Sequence, residues 1–140
     1  MPRCLGKTAL WFGAIAMLST LADAADLPYV NWENHPVRAL DLSPDHKTLA
    51  VAHTADQRVQ LFDVSTGTPI PIGHVLVGVD PVSVRFRSNS ELWAVNHISD
   101  SVSVIDLATR QIRTTLHTND EPFDVVFAAG KAFVSCSQAN

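Results

Sequence analysis

The sequence predicts an all-β fold of repeated four-stranded antiparallel units, and three observations carry that prediction. A segment opened by a proline recurs as Pro36-Val37-Arg38-Ala39-Leu40-Asp41, Pro81-Val82-Ser83-Val84-Arg85-Phe86 and Pro122-Phe123-Asp124-Val125-Val126-Phe127, with the prolines 45 and then 41 residues apart. Between the prolines lie short runs rich in Val, Ile, Leu and Phe, divided by Pro, Gly, Asn, Asp and Ser, which is strand-and-turn chemistry. No stretch after residue 24 sustains helical periodicity. A period of about 40 residues with several short strands is that of a β-propeller blade.

The first 24 residues stand apart from the repeat. Arg3 and Lys7 precede an uncharged apolar run over 8–21, and Ala22-Asp23-Ala24 places small residues where a signal peptidase reads. That is a secretory signal, with cleavage expected between Ala24 and Ala25. The run is short for a membrane span, which needs about 20 apolar residues. Residues 25–140 then carry 8 basic and 13 acidic side chains, net −5, with no basic run or stripe. Nucleic acid and anionic lipid are therefore not expected partners. Cleavage removes Cys4, so Cys136 is a lone thiol in an exported protein and no internal disulfide is expected.

Each repeat parses in order. An outer strand over about 27–32 precedes the first proline. The first blade, about 36–78, reads as strand a over 37–42, a tight turn at Ser43-Pro44-Asp45-His46-Lys47, and strand b over 48–52. Strand c follows over 59–63, then a Ser65-Thr66-Gly67 turn and strand d over 74–77. The second blade, about 81–117, gives strands over 82–86, 91–96, 101–106 and 112–116. The third, about 122–140, gives only a over 123–127 and b over 131–136, joined at Ala129-Gly130. Two and a half blades do not close a ring, since propellers use about 4–8. The sequence therefore reads as the N-terminal part of a longer, incomplete propeller. A β-sandwich of the same strands is the runner-up, although it does not require a repeat.

Leu92-Trp93-Ala94-Val95-Asn96-His97, Ser101-Val102-Ser103-Val104-Ile105-Asp106 and the Ser43-Pro44-Asp45 turn together resemble the YVTN-type β-propeller repeat. His46 stands where that repeat usually has glycine. The resemblance covers about 34–140 and implies an exported, WD-repeat-like propeller. Its members include surface proteins and propellers attached to redox domains.

Strand alternation puts the d–a and b–c connections on one face. Two sets of repeated positions fall there: His35, Asp80 and Glu121 before the prolines, and His53, His97 (beside Asn96) and Cys136 at the ends of strand b. His, His and Cys are ligand types for zinc or copper, so His53, His97 and Cys136 are the candidate metal set. The plainer alternative is that these groups bond their own turns. Asp63 and Asp106, which close strand c in both blades, are expected to cap turns, and Trp32 and Trp93 to pack. No Cys-x-x-Cys-His, phosphate loop or nucleophile elbow is present, and no catalytic residue is assigned.

The expected function is an exported binding or scaffolding module whose partners are the remaining blades and another protein. The alternative is the propeller portion of a periplasmic oxidoreductase. Its haem or copper chemistry, or a fused redox domain, would then lie largely beyond residue 140.

Overall fold

In the computed structural model the described residues are 35–137, and the leader at 1–24 and the outer strand expected over 27–32 lie outside them. The described residues form two four-stranded antiparallel sheets and a two-stranded hairpin. The first sheet runs β1 (Leu40–Leu42), β2 (Thr48–His53), β3 (Arg58–Asp63), β4 (Ile70–Leu76). The second runs β5 (Pro81–Phe86), β6 (Glu91–Asn96), β7 (Ser101–Asp106), β8 (Gln111–His117), and the hairpin pairs β9 (Pro122–Ala128) with β10 (Lys131–Cys136). Strand order follows chain order in both sheets, as in propeller blades. The described residues thus make an incomplete propeller, two full blades and the inner pair of a third.

Apolar alternation along the strands builds a layer on each side of the central blade. Ala50, Ala52, Val59 and Leu61 of blade one pack on Val84, Phe86, Leu92, Ala94 and Ile105 of blade two. The opposite face of blade two presents Trp93, Val95, Val102 and Val104, which meet Val125, Phe127 and Val134 of the third. Blade two is apolar on both faces because it is covered on both. β6 and β7 are accordingly buried almost throughout.

Two strands differ from the sequence expectation. The first was expected over 37–42, yet β1 begins at Leu40. The amides of Val37 and Arg38 instead donate to the Val82 carbonyl, and Arg38 bridges Ser83 in parallel. The lead-in to blade one is therefore tied to blade two. The fourth strand, expected over 74–77, spans Ile70–Leu76. Gly73 bounded the expected strand, but β4 runs through Pro71 and Gly73 at the outer edge of its sheet, where proline is tolerated. Gly73, at φ 140, lies beside a bulge between Leu61 and Phe62. The same bulge recurs in blade two between Val104 and Ile105.

The turns explain their residues. His46, standing where glycine is usual, adopts a left-handed φ of 60. The turn around it is held by the Ser43 hydroxyl, which donates to Asp45 at 2.6 Å and accepts from the Thr48 amide at 2.9 Å. That bond from Ser43 also draws the Asp45 carboxyl below its ordinary pKa. The capping role expected for Asp63 and Asp106 holds: Asp63 accepts from the Ser65 amide at 2.8 Å, and Asp106 from those of Ala108 and Thr109 at 2.9 and 3.1 Å. Hydrogen bonds from Ser65 depress the Asp63 pKa.

Candidate functional site

The face made by the d–a and b–c connections is knitted by a hydrogen-bond pattern that recurs from blade to blade. Gln57 and Asp100 end the b–c loops with left-handed φ of 51 and 46. Their carbonyls accept from the amides of Val77 and Thr118, which follow the outer strands, at 2.9 and 3.0 Å. Asp80 and Glu121, immediately before the blade prolines, are also left-handed, at φ 61 and 52. Their carbonyls accept from His97 and Ser137, the residues just past β6 and β10, at 2.9 and 3.1 Å. Strained backbone recurs at matching positions because each carbonyl must turn toward the neighbouring loop.

Several sequence-identified residues belong to this fabric. His97 is buried, its ring stacks on Phe123 with centroids 4.5 Å apart, and Nδ1 lies 3.1 Å from the Pro122 carbonyl. A carbonyl only accepts, so Nδ1 carries the hydrogen. Thr54, the matching residue one place past β2, donates its hydroxyl to the Pro81 carbonyl at 3.1 Å. Both side chains therefore tie one blade to the leading proline of the next. Glu121 accepts from the Ser137 hydroxyl at 2.8 Å, and its amide donates to the Asp100 carboxylate at 2.8 Å. Asp80 is buried. His35 is exposed.

The proposed ligand set is spread along this face. His53 closes β2, partly exposed, with Nδ1 3.9 Å from the Asp56 carboxylate. Cys136 closes β10 as a half-buried free thiol. It lies opposite Pro122, as Asn96 lies opposite Pro81, so Asn96 rather than His97 is its counterpart. Asn96 is fully buried and donates to the hydroxyls of Ser101 and Ser103. A Cβ on Gly78 would sit 2.7 Å from the Asn96 Cγ, so the d–a connector needs glycine there. Among the described residues no three His, Cys, Asp or Glu side chains stand together as a metal-binding group.

The structure also assembles two polar clusters that sequence reading missed. The third residue of each proline-led segment is Arg38, just before β1, Ser83 in β5 or Asp124 in β9. Ser83, fully buried, donates to Asp124 Oδ1 at 2.6 Å, and Arg38 Nε lies 3.6 Å from Asp124 Oδ2. Arg85, two residues beyond Ser83, donates from Nε to the Val125 carbonyl at 3.1 Å. Reading one column down the three repeats would have found the first trio. On the opposite face, Glu91 accepts from Trp93 Nε1 at 2.8 Å and from Arg87 at 3.1 Å, and it pairs with Arg113. Burial pushes the Glu91 pKa up, but the bonds from Trp93, Arg87 and Arg113 outweigh it and leave the carboxyl below its ordinary value.

Among the described residues no helix is long and apolar enough to cross a membrane. No protein-family profile and no curated protein matches the chain. Solved structures do. A chain of Kuenenia stuttgartiensis hydrazine synthase is 28% identical with a TM-score of 0.66, over 81% of this chain and 32% of that one. A functionally unknown protein from Desulfotomaculum acetoxidans DSM 771 is 16% identical with a TM-score of 0.63, over 69% and 34%. Kluyveromyces lactis Hsv2 is 14% identical with a TM-score of 0.53, over 74% and 31%. The chain spans about a third of the length of these structures. Hydrazine synthase and Hsv2 are β-propeller proteins, and the likeness, with the blade topology above, makes this chain a β-propeller module.

Proposed function

We propose that this module is exported and serves as a binding or scaffolding surface of the YVTN-like kind, working through the d–a and b–c face. One observation carries the reading. Val79 and Ile98 are exposed on that face, 39% and 57%, in loops rather than on a blade interface. Their segments adjoin, because the Val79 amide donates to the Ser99 hydroxyl at 3.0 Å. An apolar pair on loops held by hydrogen bonds between Val79 and Ser99 and between Glu121 and Asp100 suits a protein partner.

Replacing Ile98 by Asp is expected to leave the circular dichroism spectrum unchanged and to weaken capture of the physiological partner about tenfold or more. Undiminished capture by a folded I98D would sink this reading. Export is tested by N-terminal sequencing of protein from the envelope fraction, where the first residue is expected to be Ala25. Recovery of the intact leader in cytosol would refute it.

The 28% identity to a hydrazine synthase chain favours a second reading, in which the propeller is one part of a larger periplasmic redox assembly. Stoichiometric haem or copper in the protein isolated from its own cells would select this reading over simple scaffolding.

A further inference from the structure

We propose that Arg38 and Arg85 form a carboxylate-binding fork on the inner-strand face, separate from the loop face described above. Arg38 and Ser83 reach the same carboxylate, that of Asp124, so their side chains lie on one side of the inner strands. Arg85 is two residues beyond Ser83 with no bulge between them, so it projects to that same side about 6–7 Å along the strand. It too reaches β9, at the adjoining residue Val125. Both guanidinium groups therefore lie side by side over β9.

Arg85 is anchored through Nε by the Val125 carbonyl, and Arg38 turns its Nε toward Asp124 in an ion pair at 3.6 Å. Fixing Nε sets the plane of a guanidinium and leaves its two Nη atoms for another acceptor. No described residue takes the Nη atoms of either. The remaining arginine on this side of β5 differs: Arg87 places Nη1 3.1 Å from Glu91 and lies over the Phe127 ring at 5.9 Å. Arg85 has no carboxylate partner among the described residues, whereas Asp124 offsets Arg38. The pair keeps a net positive charge on a solvent-reaching surface, with the Arg38 side chain 42% exposed. Two pre-set, adjacent forks fit a planar oxyanion, and a carboxylate matches each fork in a bidentate manner.

The test is calorimetric titration of the full chain with succinate at constant ionic strength, alongside inorganic phosphate. Saturable succinate binding is expected, weakened about tenfold in both R38K and R85K, which keep the charge but lose the planar fork. R110K, in an exposed turn far along the chain, is expected to bind normally. Succinate should also shift the backbone amide resonances of Ser83 and Asp124 in the unsubstituted protein, a readout that does not depend on variants folding. Absence of saturable binding, equal loss in R110K, unmoved Ser83 and Asp124 resonances, or phosphate binding as tight as succinate would each overturn the assignment.

Discussion

Trp93→Ala is expected to lower the thermal unfolding midpoint by more than about 10 °C. Trp93 is 7% exposed and stands at the centre of the layer between blade two and the third hairpin. Its ring meets Phe127 edge-on, with centroids 5.1 Å apart and planes at 81°. Truncating a buried tryptophan to alanine costs about 3–5 kcal/mol in lost transfer energy and residual cavity. In a domain near this size each kcal/mol moves the midpoint by about 4–8 °C. The hairpin touches blade two chiefly through this layer, so amide exchange in β9 and β10 should accelerate before the rest of the domain responds. Trp93→Phe keeps an aromatic ring against Phe127 but loses the bond to Glu91 and part of the ring volume, with an expected cost of about 2 kcal/mol. Similar midpoints for the two variants would show that the ring contact contributes little.

Glu91→Gln is expected to destabilise the protein by about 2 kcal/mol at neutral pH, with a cost that disappears in acid. The Glu91 side chain is 12% exposed, so its charge depends on the three donors around it. Arg87 and Arg113 are about half exposed, 47% and 57%, and water screens their share. The Trp93 bond carries most of the effect, and burial of the carboxylate works against it. The folded-state pKa lies below the ordinary value of 4.5. A depressed carboxyl contributes stability that is fully present above its unfolded pKa and lost as pH falls through the folded one. Urea titrations of wild type and E91Q should therefore diverge at pH 7 and converge below the ordinary carboxylate range. A gap that stays constant into strong acid would show that the carboxylate charge is not what Glu91 supplies.

Much of the fold was legible because a blade writes its rules locally. Strands β6 and β7 match their expected bounds, since alternation, flanking turns and burial all agree there. Asp63 and Asp106 were readable as caps for the same reason: an aspartate bonding amides two or three residues on needs nothing from the rest of the chain. β4 was started too late because Gly73 signals a break in isolation, and only the sheet shows that it falls on an outer edge beside a bulge. β1 was overextended because the competing acceptor for the Val37 and Arg38 amides, the carbonyl of Val82, lies 45 residues away from Val37 in the chain.

The candidate site was legible in place but not in use. Repeat positions put Asp80 and Glu121 before the blade prolines, and His53, His97 and Cys136 at or just past the ends of strand b. They did not show that His97 bonds the next proline carbonyl in the manner of Thr54, a kinship hidden by different residue types. Arg38, Ser83 and Asp124 escaped for the opposite reason: each looks ordinary in its own repeat and gains meaning only where the three proline-led segments meet.

The sequence by itself determined the blade, its strand order and the face to which each loop belongs, because side-chain alternation and turn preference act over a few residues. The tertiary structure decided which polar groups are consumed by the fold and which remain for a ligand. The hydrogen-bond partners described across blades lie from 25 to 45 residues apart, and their pairing depends on how two twisted sheets pack, which no local pattern encodes.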